Sequence, residues 1–227
     1  MKEVVVNSII SNIKKYYNYS DVKLAEIKYG IESLYLSIFK TLVIFIISFI
    51  FHFTKELILL FIFYGLLRLT AFGVHAKKSW QCWFSSILTF TILPLLIKYV
   101  VVNNLLIDIL SVIFLVILAI YAPADTEKRP IYSKKKRNVY KLLTIIISTI
   151  YVLLIIFSNN IYMKNILFYS LLNQVILILP ITYKLFGVQY SNYKRKGGKI
   201  WNSLQDWQLL SVLSSQLLLQ WDAFYYF

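Results

Sequence analysis

The chain has 227 residues, 59% of them hydrophobic and only 15% charged, with a mean hydropathy of +0.68. That balance excludes an ordinary soluble domain. The formal net charge of +14 then reads as a topology signal plus attraction to anionic lipid, and nucleic acid is not expected as a partner.

The N-terminal stretch lacks the apolar core of a signal peptide. Ile9, Ile10, Ile13, Tyr16 and Tyr17 recur at helical spacing beside Lys14 and Lys15, which predicts an amphipathic helix lying on a membrane surface. A second short helix is expected after Ser20 or Asp21, with Leu24 and Ile27 on one face. Apolar runs long enough to cross a bilayer follow at Leu34–Phe53, Leu57–Phe72, Trp80–Val102, Leu105–Tyr121, Tyr140–Ser158 and Tyr162–Leu185. Within the last run, Asn173 and Gln174 are expected to bond neighbouring helices and Pro180 to kink the helix. A basic linker containing Gly197 and Gly198 leads to a tail. There Leu210, Leu213, Leu217, Trp221 and Phe224 repeat at the helical period, a second interfacial helix.

The expected fold is therefore an all-α integral membrane protein of about six transmembrane helices with amphipathic N-terminal and C-terminal interfacial helices. The divisions are residues 1–33 (interfacial), 34–187 (transmembrane) and 188–227 (basic linker and tail). An even number of spans puts both termini and the loops after the second and fourth helices on one side. That side carries Arg68, Lys77 and Lys78, the basic run from Lys134 to Arg137, and Lys194 to Lys196. The other side has Lys55, Lys98 and Lys164. The asymmetry predicts a cell-membrane protein with cytoplasmic termini.

The loop after the second run holds the candidate chemistry. Cys82 is the only cysteine of the chain, and His75 is one of two histidines. A thiol and an imidazole suffice for nucleophilic attack on a carbonyl, so a membrane-embedded cysteine peptidase is expected. On an unbroken helix the two would lie about 10.5 Å apart along the axis, too far for a hydrogen bond. A break is therefore required, and Gly73 is placed to end the preceding helix as a left-handed C-terminal cap. Ser79 would cap the next helix and make Cys82 its third residue, where the helix dipole favours a thiolate. Lys77 and Lys78 add positive charge in the same direction. Arg68 either snorkels at a helix end or holds the turn or a substrate carboxylate. His52 falls on the far side of the membrane, which leaves His75 as the base. One cysteine and two separated histidines do not make a metal shell, and no metal or cofactor is expected.

Other polar residues read as structural. Lys40 is expected to snorkel at the inner edge, and Asp108 to sit inside the outer end of the fourth helix. The run from Ala122 to Pro130 opens a basic loop facing lipid or substrate. Paired intramembrane charges, the mark of a transporter or channel, are not expected. A peptide or solute transporter, or a lipid-binding scaffold, are the alternative readings.

Arg68, Gly73, His75, Ala76 and Cys82, followed by Ala122, Pro123, Thr126 and Pro130, resemble the motifs of the accessory gene regulator protein B (AgrB) family. The similarity extends over roughly residues 1–190. Phe72 stands where that family often has a glycine, and the tail from Ile200 has no recognised counterpart. The resemblance implies a homodimeric peptidase of Gram-positive quorum sensing that trims an AgrD-type pheromone precursor in the membrane. Cys82 would be the nucleophile and His75 the base. A cysteine or serine of the precursor would then attack the acyl-enzyme to close a thiolactone or lactone.

Overall fold

The computed structural model describes residues 2–17, 19–74, 79–100, 102–126, 131 and 133–190. Eight helices appear among them: α1 (Lys2–Tyr16), α2 (Asp21–Ile50), α3 (Thr54–Ala71), α4 (Ser79–Tyr99), α5 (Asn104–Tyr121), α6 (Lys134–Phe157), α7 (Ile161–Ile178) and α8 (Pro180–Leu185). No strand is present among the described residues. The expected tail helix beyond Ile200 lies outside them.

Local sequence accounts for most boundaries. Ser20, Asn103, Ser133 and Asn160 each accept a backbone N–H from the first turn of the helix that follows, satisfying donors that a helix N-terminus leaves unpaired. Two elements differ from expectation. The short helix after Ser20 and the first span form one continuous helix, α2, of 30 residues. Gly30 is the one weak helix former at the junction and has open space around it, and no proline interrupts. At the other end Pro180 stops the helix instead of kinking it. Leu179 adopts an extended conformation before the proline, and Pro180 opens the six-residue α8.

Among the described residues, five helices are long and apolar enough to cross a membrane: residues 23–50, 80–99, 104–121, 134–157 and 161–178. α3 has 18 residues, about 27 Å of helix, but carries Lys55, Glu56 and Arg68. It lies inside the bundle, packed on α6 and α7, with Leu57, Leu60, Tyr64 and Leu67 fully covered. α7 is the other buried helix, and α5 and α6 pack together beside it. The outer helices turn apolar side chains such as Phe49, Phe84, Leu105 and Phe157 outward, which is the face an apolar solvent requires. The chain is thus an all-α multi-pass membrane protein.

The helices alternate in direction, so α3, α5 and α7 finish at one end of the bundle, where α4 and α6 begin. The opposite end is tied by Lys98 Nζ to the His52 carbonyl (2.5 Å) and by Tyr162 Oη to Glu56 Oε1 (3.2 Å). Lys164 Nζ meets Asp108 Oδ1 there at 3.2 Å.

Candidate active site

α3 runs to Ala71, and the chain then reverses through two residues with positive φ, Phe72 (56°) and Gly73 (136°). The break expected at Gly73 therefore begins one residue earlier, on a phenylalanine. A non-glycine residue in that region is strained and persists only where its surroundings hold it. Three segments do so. The Arg68 guanidinium, one turn back on α3, donates to the Phe72 carbonyl (2.5 Å) and the Val74 carbonyl (2.9 Å). Gln174 Nε2 on α7 donates to the same Phe72 carbonyl at 2.6 Å, and the Val74 N–H donates to the Leu177 carbonyl at 2.9 Å. The segment after α5 completes the clamp. Gly73 N–H donates to Ala124 O at 3.0 Å, and Ala124 N–H to Ala71 O at 2.9 Å, an isolated parallel bridge between Phe72 and Ala124.

Of the two readings of Arg68, the structure shows the one that holds the turn; its side chain is buried rather than snorkelling. Ala122 to Thr126 do not face lipid. They are buried against the turn, with a cis bond between Ala122 and Pro123. Tyr183 of α8 braces them, its hydroxyl donating to the carbonyls of Ala124 (3.0 Å) and Asp125 (3.2 Å). Burial pushes the Tyr183 phenol well above its ordinary range, Arg68 opposing and Asp125 adding to the effect, so it remains a donor. Pro130 lies outside the described residues.

The clamped turn ends at Val74, and α4 starts at Ser79. His75, Lys77 and Lys78 lie between them, outside the described residues. Ser79 is the first residue of α4 rather than its cap, so Cys82 is the fourth. Cys82 is half-buried in that opening turn, where backbone N–H groups have no partner within the helix. His52 precedes α3 while Gly73 follows it, so the full length of that helix separates this histidine from the turn.

Three features were not foreseen from sequence. Gln174 supplies a hydrogen bond to the turn itself, not merely to another helix. Lys40 does not snorkel: it is 3% exposed and its Nζ lies 3.3 Å from Ser86 Oγ on α4. A paired intramembrane charge is present after all in Asp108 and Lys164, at the end of the bundle remote from Cys82. Among the described residues no cluster of histidine, cysteine, aspartate or glutamate is suited to hold a metal ion.

Residues 6–178 match the family described as Accessory gene regulator B. An AgrB-like protein of Clostridium acetobutylicum is 31% identical over 84% of this chain and 91% of its own length. Accessory gene regulator protein B of Staphylococcus saprophyticus is 28% identical over 70% of this chain and 84% of its own. An AgrB-like protein of Listeria monocytogenes is 30% identical over 75% and 83%. No solved structure matches the chain significantly.

Proposed function

This chain belongs to the accessory gene regulator B family, and from that premise we propose that it is a membrane-embedded cysteine endopeptidase acting on an AgrD-type precursor. The observation that carries the reading is the position of Cys82: a half-buried thiol in the opening turn of α4, just after a reversal that three separate segments hold rigid. A nucleophile needs such a fixed frame, because a displacement of an ångström costs rate steeply.

In this mechanism His75 takes the Cys82 proton, and the sulfur attacks the carbonyl carbon at the precursor's cleavage point. Backbone N–H groups in the first turn of α4, which the helix itself does not engage, receive the developing negative charge on the carbonyl oxygen. The C–N bond then breaks, the departing amine takes the proton from His75, and a thioester remains on Cys82. A cysteine or serine side chain of the precursor attacks that thioester. Its proton passes to His75, the Cys82 sulfur is expelled as a thiolate, and a thiolactone or lactone closes. Burial of the turn in the bundle favours this outcome over hydrolysis, since water would otherwise compete for the thioester.

The basic end of the bundle, with Lys134, Lys135, Lys136 and Arg137 opening α6, faces the cytoplasm in this reading and attracts the precursor's acidic tail and anionic lipid. The working form is a homodimer. Co-expression with a tagged precursor tests the activity: Cys82→Ser should insert at normal yield and leave the precursor uncut. Cleavage by that variant would remove the peptidase reading.

A further inference from the structure

Lys40 is a buried ionisable group that the mechanism above does not use. It lies in the apolar part of α2, with Ser37 buried one turn before it, and an ionisable side chain at such a depth calls for a partner. Its Nζ lies 3.3 Å from Ser86 Oγ, and Ser86 is itself 1% exposed. Ser86 stands four residues after Cys82 on α4, hence on the same face one turn further along. Next to this pair, Phe39 stacks on Trp83 with ring centroids 6.1 Å apart, so consecutive side chains of α2 meet α4 at the level of the thiol.

We infer that Lys40 is a positioning residue for Cys82, its ammonium held by Ser86 so that it faces the sulfur and stabilises the thiolate. The inference rests on the peptidase reading only for its consequence in catalysis; the pairing itself stands on the packing of α2 against α4. A buried ammonium is unfavourable without a negative partner, and a thiolate in an apolar bundle is unfavourable without a positive one. Each removes the other's penalty. Cys82 stands one turn before Ser86 on α4, while Ser86 itself supplies the hydrogen bond and carries no charge.

The test uses the full-length protein in nanodiscs and exploits the single cysteine, because iodoacetamide then reports one site. Alkylation rate against pH is compared for wild type, Lys40→Met, Lys40→Arg and Ser86→Ala. Lys40→Met should slow alkylation about tenfold near neutral pH and move the rising limb about one pH unit upward. The rates should converge at high pH, where the thiol ionises without help. Lys40→Arg should retain most of the wild-type profile. Ser86→Ala, which leaves both charges in place, should move the limb the same way by less, and it serves as the reading should Lys40→Met fail to insert. Superimposable profiles in the inserted variants would overturn the inference. Precursor cleavage measured in parallel, with Cys82→Ser as the blank, separates the two claims. A shifted profile with cleavage that survives Cys82→Ser keeps the pairing and discards the peptidase.

Discussion

The Arg68 guanidinium occupies the space that a side chain on Gly73 would need, and it donates to the carbonyls on both sides of that glycine. A Cβ at Gly73 would run into the guanidinium and lie 2.9 Å from the Leu177 carbonyl, at a φ of +136° that L-residues rarely adopt. Gly73→Ala should therefore break the clamp. Thermal unfolding in detergent should show a midpoint several degrees lower, and precursor cleavage should be lost. Arg68→Lys should lose most cleavage as well, since an ammonium keeps the charge but not the fork that spans Phe72 and Val74. Wild-type cleavage by either variant would show that the clamp is unnecessary for the chemistry.

Asp108→Asn should destabilise the opposite end of the bundle by roughly 2 kcal/mol, because the Lys164 side chain, only 9% exposed, would keep its charge without the carboxylate. Adding Lys164→Met should recover much of that loss. The double-mutant cycle by thermal unfolding checks it: additive effects would mean that the pair is not coupled. Cleavage should survive in both variants, since the pair is remote from Cys82.

His75→Ala should abolish cleavage and His52→Ala should leave it nearly intact. His52 sits in the exposed turn before α3, at the end of the bundle away from the clamp, and its carbonyl rather than its ring is engaged by Lys98. Cleavage assays on membranes check this, with side-specific labelling of the loops as the topology control. Equal loss in the two variants would contradict the proposed base.

Lys77→Gln with Lys78→Gln should slow cleavage several-fold without abolishing it. The loss should be larger at low salt, because exposed charges are screened as salt rises. Alkylation of Cys82 near neutral pH should slow as well and recover as pH rises, since the thiolate loses nearby cations. Unchanged cleavage and unchanged alkylation would leave these lysines as markers of topology alone.

The helices were legible in the sequence because their causes are local. Apolar runs of spanning length and serine and asparagine caps act within a few residues, whereas Pro180, expected to kink a helix, ends α7 instead. The reversal after α3 was legible too, through Gly73, although the positive φ at Phe72 was not, since nothing in a phenylalanine signals it. What stayed hidden depends on long-range register. Gln174 and Phe72 are 102 residues apart, and Lys40 and Ser86 are 46 apart. A lysine within an apolar run looks the same in a sequence whether it escapes to the surface or is captured by another helix. The stretch from Ala122 to Thr126 has the look of any proline-containing loop until Ala124 is seen to pair with Phe72.

The reversal at Phe72 to Val74 has a consequence for the order in which the protein is made. Its hydrogen-bonding partners lie at Arg68, Ala124, Gln174 and Leu177. Cys82 is therefore synthesised long before the last of the groups that steady the turn ahead of it. A nascent chain that has inserted α3 and α4 already holds the thiol in the membrane but lacks the α7 carbonyl and amide. In the proposed mechanism the centre becomes competent only once translation has passed Leu177, so prematurely terminated chains would carry the proposed nucleophile without the frame that directs it.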